Sequence, residues 1–313
     1  MIGVIGLLKT ERQRQDFIID IPPHWDGMTI EYVLQKVFFV PKKMRHAWRM
    51  KHAVRLNTKP VPFHETLTEG DRLFLPVFAG SEPVIKPVPM DIPVLYEDDH
   101  LLIVNKKAGL ATHPNTPDDY DTLLNGVYHY LKEKTAPAYV QHVHRLDEET
   151  TGALLFAKHP LAKSLLDRLF HDRKIVRTYT ALVSGKLRRK EGTIRANIGR
   201  DRHHPTRRRV SKTGQTAITH YRTLGFDPKR KLTLVECQLE TGRTHQIRVH
   251  LSYLGHPLAG DTLYGGDPIF PRPALHARSL SFEHPLTFPP VHVVAPYLDE
   301  PPIFPAEITR PDA

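Results

Sequence analysis

A chain of 313 residues with 44 lysines and arginines against 34 acidic residues carries a formal net charge of +10 although only 25% of its residues are charged, so the imbalance points to a polyanionic partner, either nucleic acid or an acidic membrane. The single cysteine, Cys237, excludes an internal disulfide framework and a cysteine-built zinc site, and fits a reducing compartment. No segment is long and apolar enough to cross a bilayer, and the apolar start 1–8 lacks the basic flank of a signal peptide. The reading is therefore a cytoplasmic protein with room for more than one domain.

In chain order, 16–19 reads as a strand and 29–38 as a helix, with Ile30, Val33, Leu34 and Val37 on one face and Thr29 as its cap. After Pro41 the basic segment 42–52, which includes Lys43 and Arg49, has helical potential; 53–57, a turn and 70–75 follow. This succession resembles the S-four-type RNA-binding domain, in which two short helices and a small sheet present basic side chains to RNA. The resemblance implies RNA contacts at Lys43 and Arg49. It departs from the pattern at Asn57-Thr58, where Asn-Gly is usual, and has no glycine near Lys51 and His52. A generic small α+β domain with a solvated basic face is the alternative. The proline-rich run 82–89 can continue neither a helix nor a central strand. It gives a first domain at 1–82, a linker at 83–92 and a second domain at 93–305, with the first domain expected to be separable from the second.

In the second domain 138–143 alternate as a strand should, and 153–158 form the continuous apolar run of a buried one. Between them lies His144-Arg145-Leu146-Asp147-Glu148-Glu149-Thr150-Thr151-Gly152. Asp147 thus sits at a strand end beside the core, where a carboxylate loses hydration and needs a proton or a cationic partner, Arg145 or a more distant arginine. An aspartate that merely starts a turn is the alternative. A helix opened by His159 and Pro160 runs to about Arg173, its apolar stripe made by Leu161, Leu165, Leu166, Leu169 and Phe170. Strands near 178–183, 193–198, 216–223 and 232–239 suggest a mixed, largely antiparallel sheet, hence an α+β fold flanked by helices. Arg177 reads as solvent-exposed. The loop 200–209, with Arg207 and Arg208, is the densest local cluster of positive charge and suits phosphate contact. Residues 244–254 read as a helix with Ile247, Leu251 and Leu254 inward and Gly255 as its stop. Arg248 lies beside Ile247 in angular terms, so its guanidinium can meet Asp147 at the core edge and hold it charged. His142 and His144 share a strand face, but no third and fourth ligand stand at a supporting spacing, so no metal is expected.

The run from His144 to Gly152 closely resembles the signature HRLD-x-x-T-[ST]-G of the RluA-type pseudouridine synthases, with Thr151 where serine is more usual. Four further segments resemble that family in the expected order: 94–106 with His113-Pro114, 177–181, 239–250, and 255–261 with 275–277. One departure is Lys107 after Lys106, where Lys-Pro is usual. The resemblance implies an enzyme that breaks the bond from ribose to ring nitrogen of uridine, turns the base and rejoins it through ring carbon five. No atom is gained or lost, and no cofactor is implied. It also implies Asp147 as nucleophile or base at the ribose, Tyr179 as aromatic platform and Arg248 as the cation keeping Asp147 ionised. Arg145 would enter the helix space left by an extruded base. His144, Thr151, Arg243, His245, Gln246 and Ile247 are further expected substrate or RNA contacts. The implied partner is RNA, ribosomal rather than transfer RNA by analogy, met by a monomer without a membrane. A non-catalytic RNA-binding or ribosome-assembly protein that kept the fold is the second reading, and joint retention of Asp147, Tyr179 and Arg248 argues against it. A protein kinase, suggested by the likeness of HRLD to HRD, fails for want of a glycine-rich phosphate loop and a downstream Asp-Phe-Gly.

Overall fold

The computed structural model describes residues 8–79, 85–116, 118–134 and 139–304. The apolar start 1–7, the end 80–82 of the expected first domain, residues 83–84 of the expected linker, the first residue of the strand expected at 138–143 and position 305 of the second domain lie outside them.

The first domain is a five-stranded sheet under two short helices. Its strands are β1 (Thr10–Gln13), β2 (Asp16–Asp20), β3 (Arg55–Leu56), β4 (Lys59–Pro60) and β5 (Arg72–Leu75), in the order β1-β2-β5-β3-β4. Thr29 caps α1 (Ile30–Tyr32), its hydroxyl accepting from the Tyr32 amide at 3.2 Å. The expected helix then widens into a π-turn over Val33–Val37. The Phe38 amide reaches back to the Val33 carbonyl at 2.9 Å, and the wider turn still buries Ile30, Val33, Leu34 and Phe38 together. Next, α2 (Lys42–Met50) fully buries only Trp48 and presents Lys42, Lys43 and Arg49 to solvent, while Arg45 is half-buried against the Val40 carbonyl and Glu31.

The second domain is built on a ten-stranded sheet. Its elements are β6 (Val94–Glu97), β7 (Leu101–Lys106), α3 (Leu123–Lys134), β8 (Gln141–His142), β9 (Thr151–Ala157), α4 (Pro160–His171) and β10 (Val176–Ser184). There follow β11 (Glu191–Arg195), the small hairpin β12 (Ile198–Arg200) and β13 (Arg208–Val210), then β14 (Ile218–Asp227), β15 (Leu232–Leu239), α5 (Gln246–Tyr253), β16 (Leu275–Glu283) and β17 (Pro290–Val294). The main path runs β11-β14-β15-β10-β16-β9-β7-β6. Every neighbouring pair on it is antiparallel except β16 and β9. The mixed, largely antiparallel α+β architecture expected from the strand spacing is the one observed.

The register at the centre of the sheet decides where the chemistry sits. Ala277 of β16 pairs with Tyr179 of β10 on one side and with Gly152 of β9 on the other. Gly152 has φ +114°, and a Cβ there would lie 2.2 Å from the Ala277 carbonyl oxygen, so the close approach of the two strands requires glycine. All seven residues of β9 are buried, as the apolar run predicts.

Three expectations need correction. The strand expected at 138–143 is reduced to Gln141–His142, so His144 leaves the strand face it was expected to share with His142, and Arg145 and Asp147 lie in irregular backbone. Leu254 falls at the end of α5 with over a third of its surface exposed; Gly255, at φ +82°, has already turned the chain. Arg177 is buried, its guanidinium stacked 4.4 Å from the Phe170 ring centroid, so it is not a solvated cation.

The two halves share apolar surface. Leu161 and Leu165 of α4, with Leu286, enter the core made by Phe17, Trp25, Leu34, Phe38 and Leu75 of the first domain. Residues 85–92 form neither helix nor strand, yet they pack along α3: the Asn125 side chain donates to the Lys86 carbonyl at 2.8 Å, and Ile92 joins the main core.

Candidate functional site

Asp147 lies in a turn whose backbone is held from every side. Its own carbonyl accepts from the Thr150 amide at 3.0 Å. The ammonium of Lys106, buried at the end of β7, donates to the carbonyls of Glu148 at 2.6 Å, Thr150 at 3.0 Å and Lys107 at 2.9 Å. Arg272 donates to the Glu149 carbonyl at 3.2 Å and the Thr151 hydroxyl at 3.0 Å, and is itself paired with Asp299. Two buried cations thus satisfy carbonyls that no strand or helix reaches. Burial pulls the Lys106 ammonium down to about 8, while the acidic side chains of Glu149, Asp147 and Glu148 oppose that shift.

The Asp147 carboxylate, about a quarter exposed, projects from this turn into a cleft of about 920 Å³. Arg248 Nη1 stands 3.8 Å from its Oδ2, and His245 Nε2 stands 4.0 Å from its Oδ1. The expected approach of Arg248 and Asp147 is present, but the main partner of Arg248 is another residue. Asp261, fully buried, takes the guanidinium in a two-point grip, Nε to Oδ2 at 2.7 Å and Nη2 to Oδ1 at 2.8 Å. Burial would lower the Arg248 pKa, but the hydrogen bonds and charge of Asp261 outweigh it and the pKa is raised. The fork leaves Nη1 facing Asp147.

Tyr179 lines the same cleft, across Ala277 from the Asp147 turn. Burial pushes its hydroxyl pKa up, the Arg177 cation opposes that, and the Asp147 charge adds to it. Arg145, Arg208 and Arg243 line the cleft as well, so its mouth is cationic. The burial of His245 lowers its pKa and favours the neutral ring.

The other expected site residues divide by exposure. Thr151 is buried, its hydroxyl shared between His276 and Arg272, and has no face for RNA. Gln246 is buried and uses its amide to close the 241–246 turn onto β14, accepting from Thr241 and Arg243 and donating to the Ile218 carbonyl. Ile247 is core. His144 borders the cleft but is buried, its ring stacked on Phe170 and its Nε2 accepting from the Leu155 amide, with burial holding its pKa near about 3. All four are buried, and His144, Gln246 and Ile247 also line the cleft wall. Arg207 is paired with Asp201 at 2.7 Å in the loop of the β12–β13 hairpin, outside the cleft lining. Lys43 and Arg49 lie on α2, away from the cleft; Lys43 is exposed, and Arg49 is paired with Glu31 at 3.0 Å and stacked on Phe63.

Sequence reasoning assigned no role to Lys106, Asp261, Tyr264 or Arg272. The first two lie inside segments that carried the family resemblance, and a buried charge there is visible only once the strands are placed.

The residues 100–253 match the family described as RNA pseudouridylate synthase, and 17–73 match the N-terminal domain of the RluD ribosomal pseudouridine synthase. An RNA pseudouridine synthase of Bacillus subtilis, YhcT, is 44% identical over 273 residues, which covers 87% of this chain and 90% of that protein. This chain belongs to the RNA pseudouridine synthase family. The synthase is also 39% identical over 292 residues to the ribosomal large subunit pseudouridine synthase D of Vibrio parahaemolyticus, covering 88% of this chain and 89% of that one. Among solved structures, human RNA pseudouridylate synthase domain containing 1 superposes with a TM-score of 0.55 at 27% identity, over 66% of this chain and 84% of that one. As a synthase of this family, the protein is an isomerase acting on uridines in RNA.

Proposed function

We propose that Asp147 is the carboxylate that acts at the ribose, in a synthase whose target is a uridine of large-subunit ribosomal RNA. The observation carrying this reading is the setting of Asp147: a rigid turn, an open cleft before it, and cations of fixed position on its flank. In the reaction the bond between ribose C1′ and N1 breaks with its electron pair leaving on the uracil. The base turns, C1′ joins C5, and the proton lost from C5 is balanced by the one gained at N1.

Tyr179 supplies the flat wall against which the loosened base turns, and Arg248 faces Asp147 with a charge that Asp261 keeps in place. Arg145 is at the cleft mouth, where an arginine can fill the gap left by an extruded base. The cations of α2 and of the β12–β13 hairpin supply phosphate contacts. Ribosomal RNA is favoured because the N-terminal match and the Vibrio relative both carry ribosomal names.

Asp147→Asn is the test, with the pseudouridines of ribosomal RNA mapped in cells lacking the protein and in cells regaining wild type or variant. The expected outcome is a missing modification restored by wild type alone, with RNA affinity of the variant within about threefold of wild type. Restoration by Asp147→Asn would remove the assignment.

A further inference from the structure

Tyr264 closes the 3-10 turn Thr262–Tyr264, three residues after Asp261, and its hydroxyl joins two parts of the molecule. The backbone N–H of Arg208, on the arginine-rich hairpin, donates to this oxygen at 2.9 Å. His245 Nδ1 lies 2.8 Å from the same oxygen. A phenol has one proton to give, and among the described residues this hydroxyl meets no other acceptor. Its proton therefore goes to Nδ1, and the neutral imidazole carries its own hydrogen on Nε2, the atom 4.0 Å from Asp147 Oδ1. The ring is further fixed by its backbone, since His245 sits in the left-handed region at φ +58° ahead of α5. At 4.0 Å the Nε2–H does not bond Asp147 itself. It remains a donor directed at whatever oxygen is held at that carboxylate.

We propose that Tyr264 is a positioning residue that fixes His245 as an Nε2–H donor for the departing uracil, and that it ties this donor to the RNA-facing hairpin through Arg208. The inference rests on Asp147 acting at C1′. When C1′–N1 breaks, the electron pair stays with the base, and negative charge grows on N1 and O2 beside the atom that Asp147 engages. A fixed N–H aimed there stabilises that charge without a proton transfer, and a dipole already in place has no reorganisation to undergo. Arg248 offers only Nη1 on the Oδ2 side of the carboxylate, because Nε and Nη2 are committed to Asp261 and its Cζ lies 5.0 Å from the Tyr264 ring centroid, so the Oδ1 side is left to His245.

Two measurements test this. Nitrogen NMR of the imidazoles, with the His245 signals assigned by their loss in His245→Gln, should show the Nε2–H tautomer in the wild type and a tautomer mixture in Tyr264→Phe. An Nδ1–H ring in the wild type overturns the proposal. In single-turnover assays at saturating RNA, Tyr264→Phe should slow product formation by roughly ten- to a hundredfold with RNA affinity changed less than about threefold. In the His245→Gln background, where the amide nitrogen needs no tautomer, the same Tyr264→Phe step should cost less than about threefold. Equal losses in both backgrounds overturn the coupling. The spectrum requires no turnover, so it separates this inference from the assignment of Asp147, which the Asp147→Asn assay decides.

Discussion

Lys106 shows how a single buried charge can serve a site it does not enter. Its ammonium fills the space under the Asp147 turn and satisfies three carbonyls at once. Lys106→Met should leave those carbonyls unpaired in the interior, at a cost of ~3 kcal/mol or more. Thermal unfolding should show the loss, and a variant as stable as wild type would mean that the turn holds itself. Asp261 acts on the other side of the carboxylate. Asp261→Asn keeps the shape of the fork but removes its charge, so Arg248 loses the anion that aims it. Turnover at saturating RNA should fall about tenfold or more while RNA affinity is kept, a split that binding and single-turnover assays distinguish. An unchanged rate would show that Arg248 needs no such orientation.

At the scale of elements, the meeting of β9, β16 and β10 brings the motif residues to one place. The close approach of Gly152 to Ala277 makes that meeting sensitive to a single methyl group. Gly152→Ala combines a left-handed φ with a clash against backbone, and should destabilise by ~2 kcal/mol or more while lowering activity in the fraction that folds. Chemical denaturation measures the first and single-turnover kinetics the second. The β12–β13 hairpin has a different task. Its Arg208 and Arg209 are bound into no ion pair among the described residues, in contrast to Arg207, which Asp201 holds. Replacing Arg208 and Arg209 by serine should flatten the dependence of log affinity on log salt by about 0.7–0.9 for each phosphate that is no longer neutralised. A salt slope equal to that of wild type would remove the hairpin from the RNA interface.

At the scale of the whole molecule, the boundary between the domains is an apolar core rather than a flexible joint. Phe17 and Phe78 pack on the rings of His100 and His159, and Phe38 stacks on Phe288. The full chain should therefore unfold in one calorimetric transition, and removal of residues up to 79 should lower the midpoint by exposing Leu161, Leu165 and Leu286. Two separate transitions in the full chain would contradict this. The same interface is sensitive to acid. His159 Nδ1 accepts from the Ala162 amide, so its Nε2–H donates to His100 Nδ1 at 2.9 Å, and both rings are neutral. Burial takes His100 down to about 3, with Asp98 opposing and Lys158 and Arg12 adding, and takes His159 well below its ordinary value, with Arg12 adding and Asp98 opposing. The unfolded chain thus binds more protons than the folded one between about pH 6.5 and 3, and stability must fall as pH falls through that window. Each unit of depression is worth ~1.4 kcal/mol. Denaturant melts from pH 7 to 4 should show this loss, and it should shrink in His100→Phe.

The strands β9, β10, β14 and β15, the helices α4 and α5, the cap at Thr29 and the presence of Asp147 at a turn beside the core were legible in the sequence, because apolar periodicity and turn chemistry are local properties, whereas α3, β16 and β17 were not read. The pairing of Asp147 with a distant arginine was legible as well, since a carboxylate at a core edge demands a cation. Which cation and how it is held were not. Asp261 is 13 positions from Arg248, and the Lys106 ammonium meets carbonyls 42 and 44 positions away. No period or spacing encodes such contacts; those of Lys106 exist because β7 and β9 are neighbours in the sheet, and the Arg248–Asp261 fork because α5 packs against the turn Thr262–Tyr264. The same reason buried Thr151 away from the cleft and left His144, Gln246 and Ile247 largely buried at its wall. Their neighbours along the chain face the cleft, but burial is decided by what packs from above, and only the assembled sheet and α5 settle that.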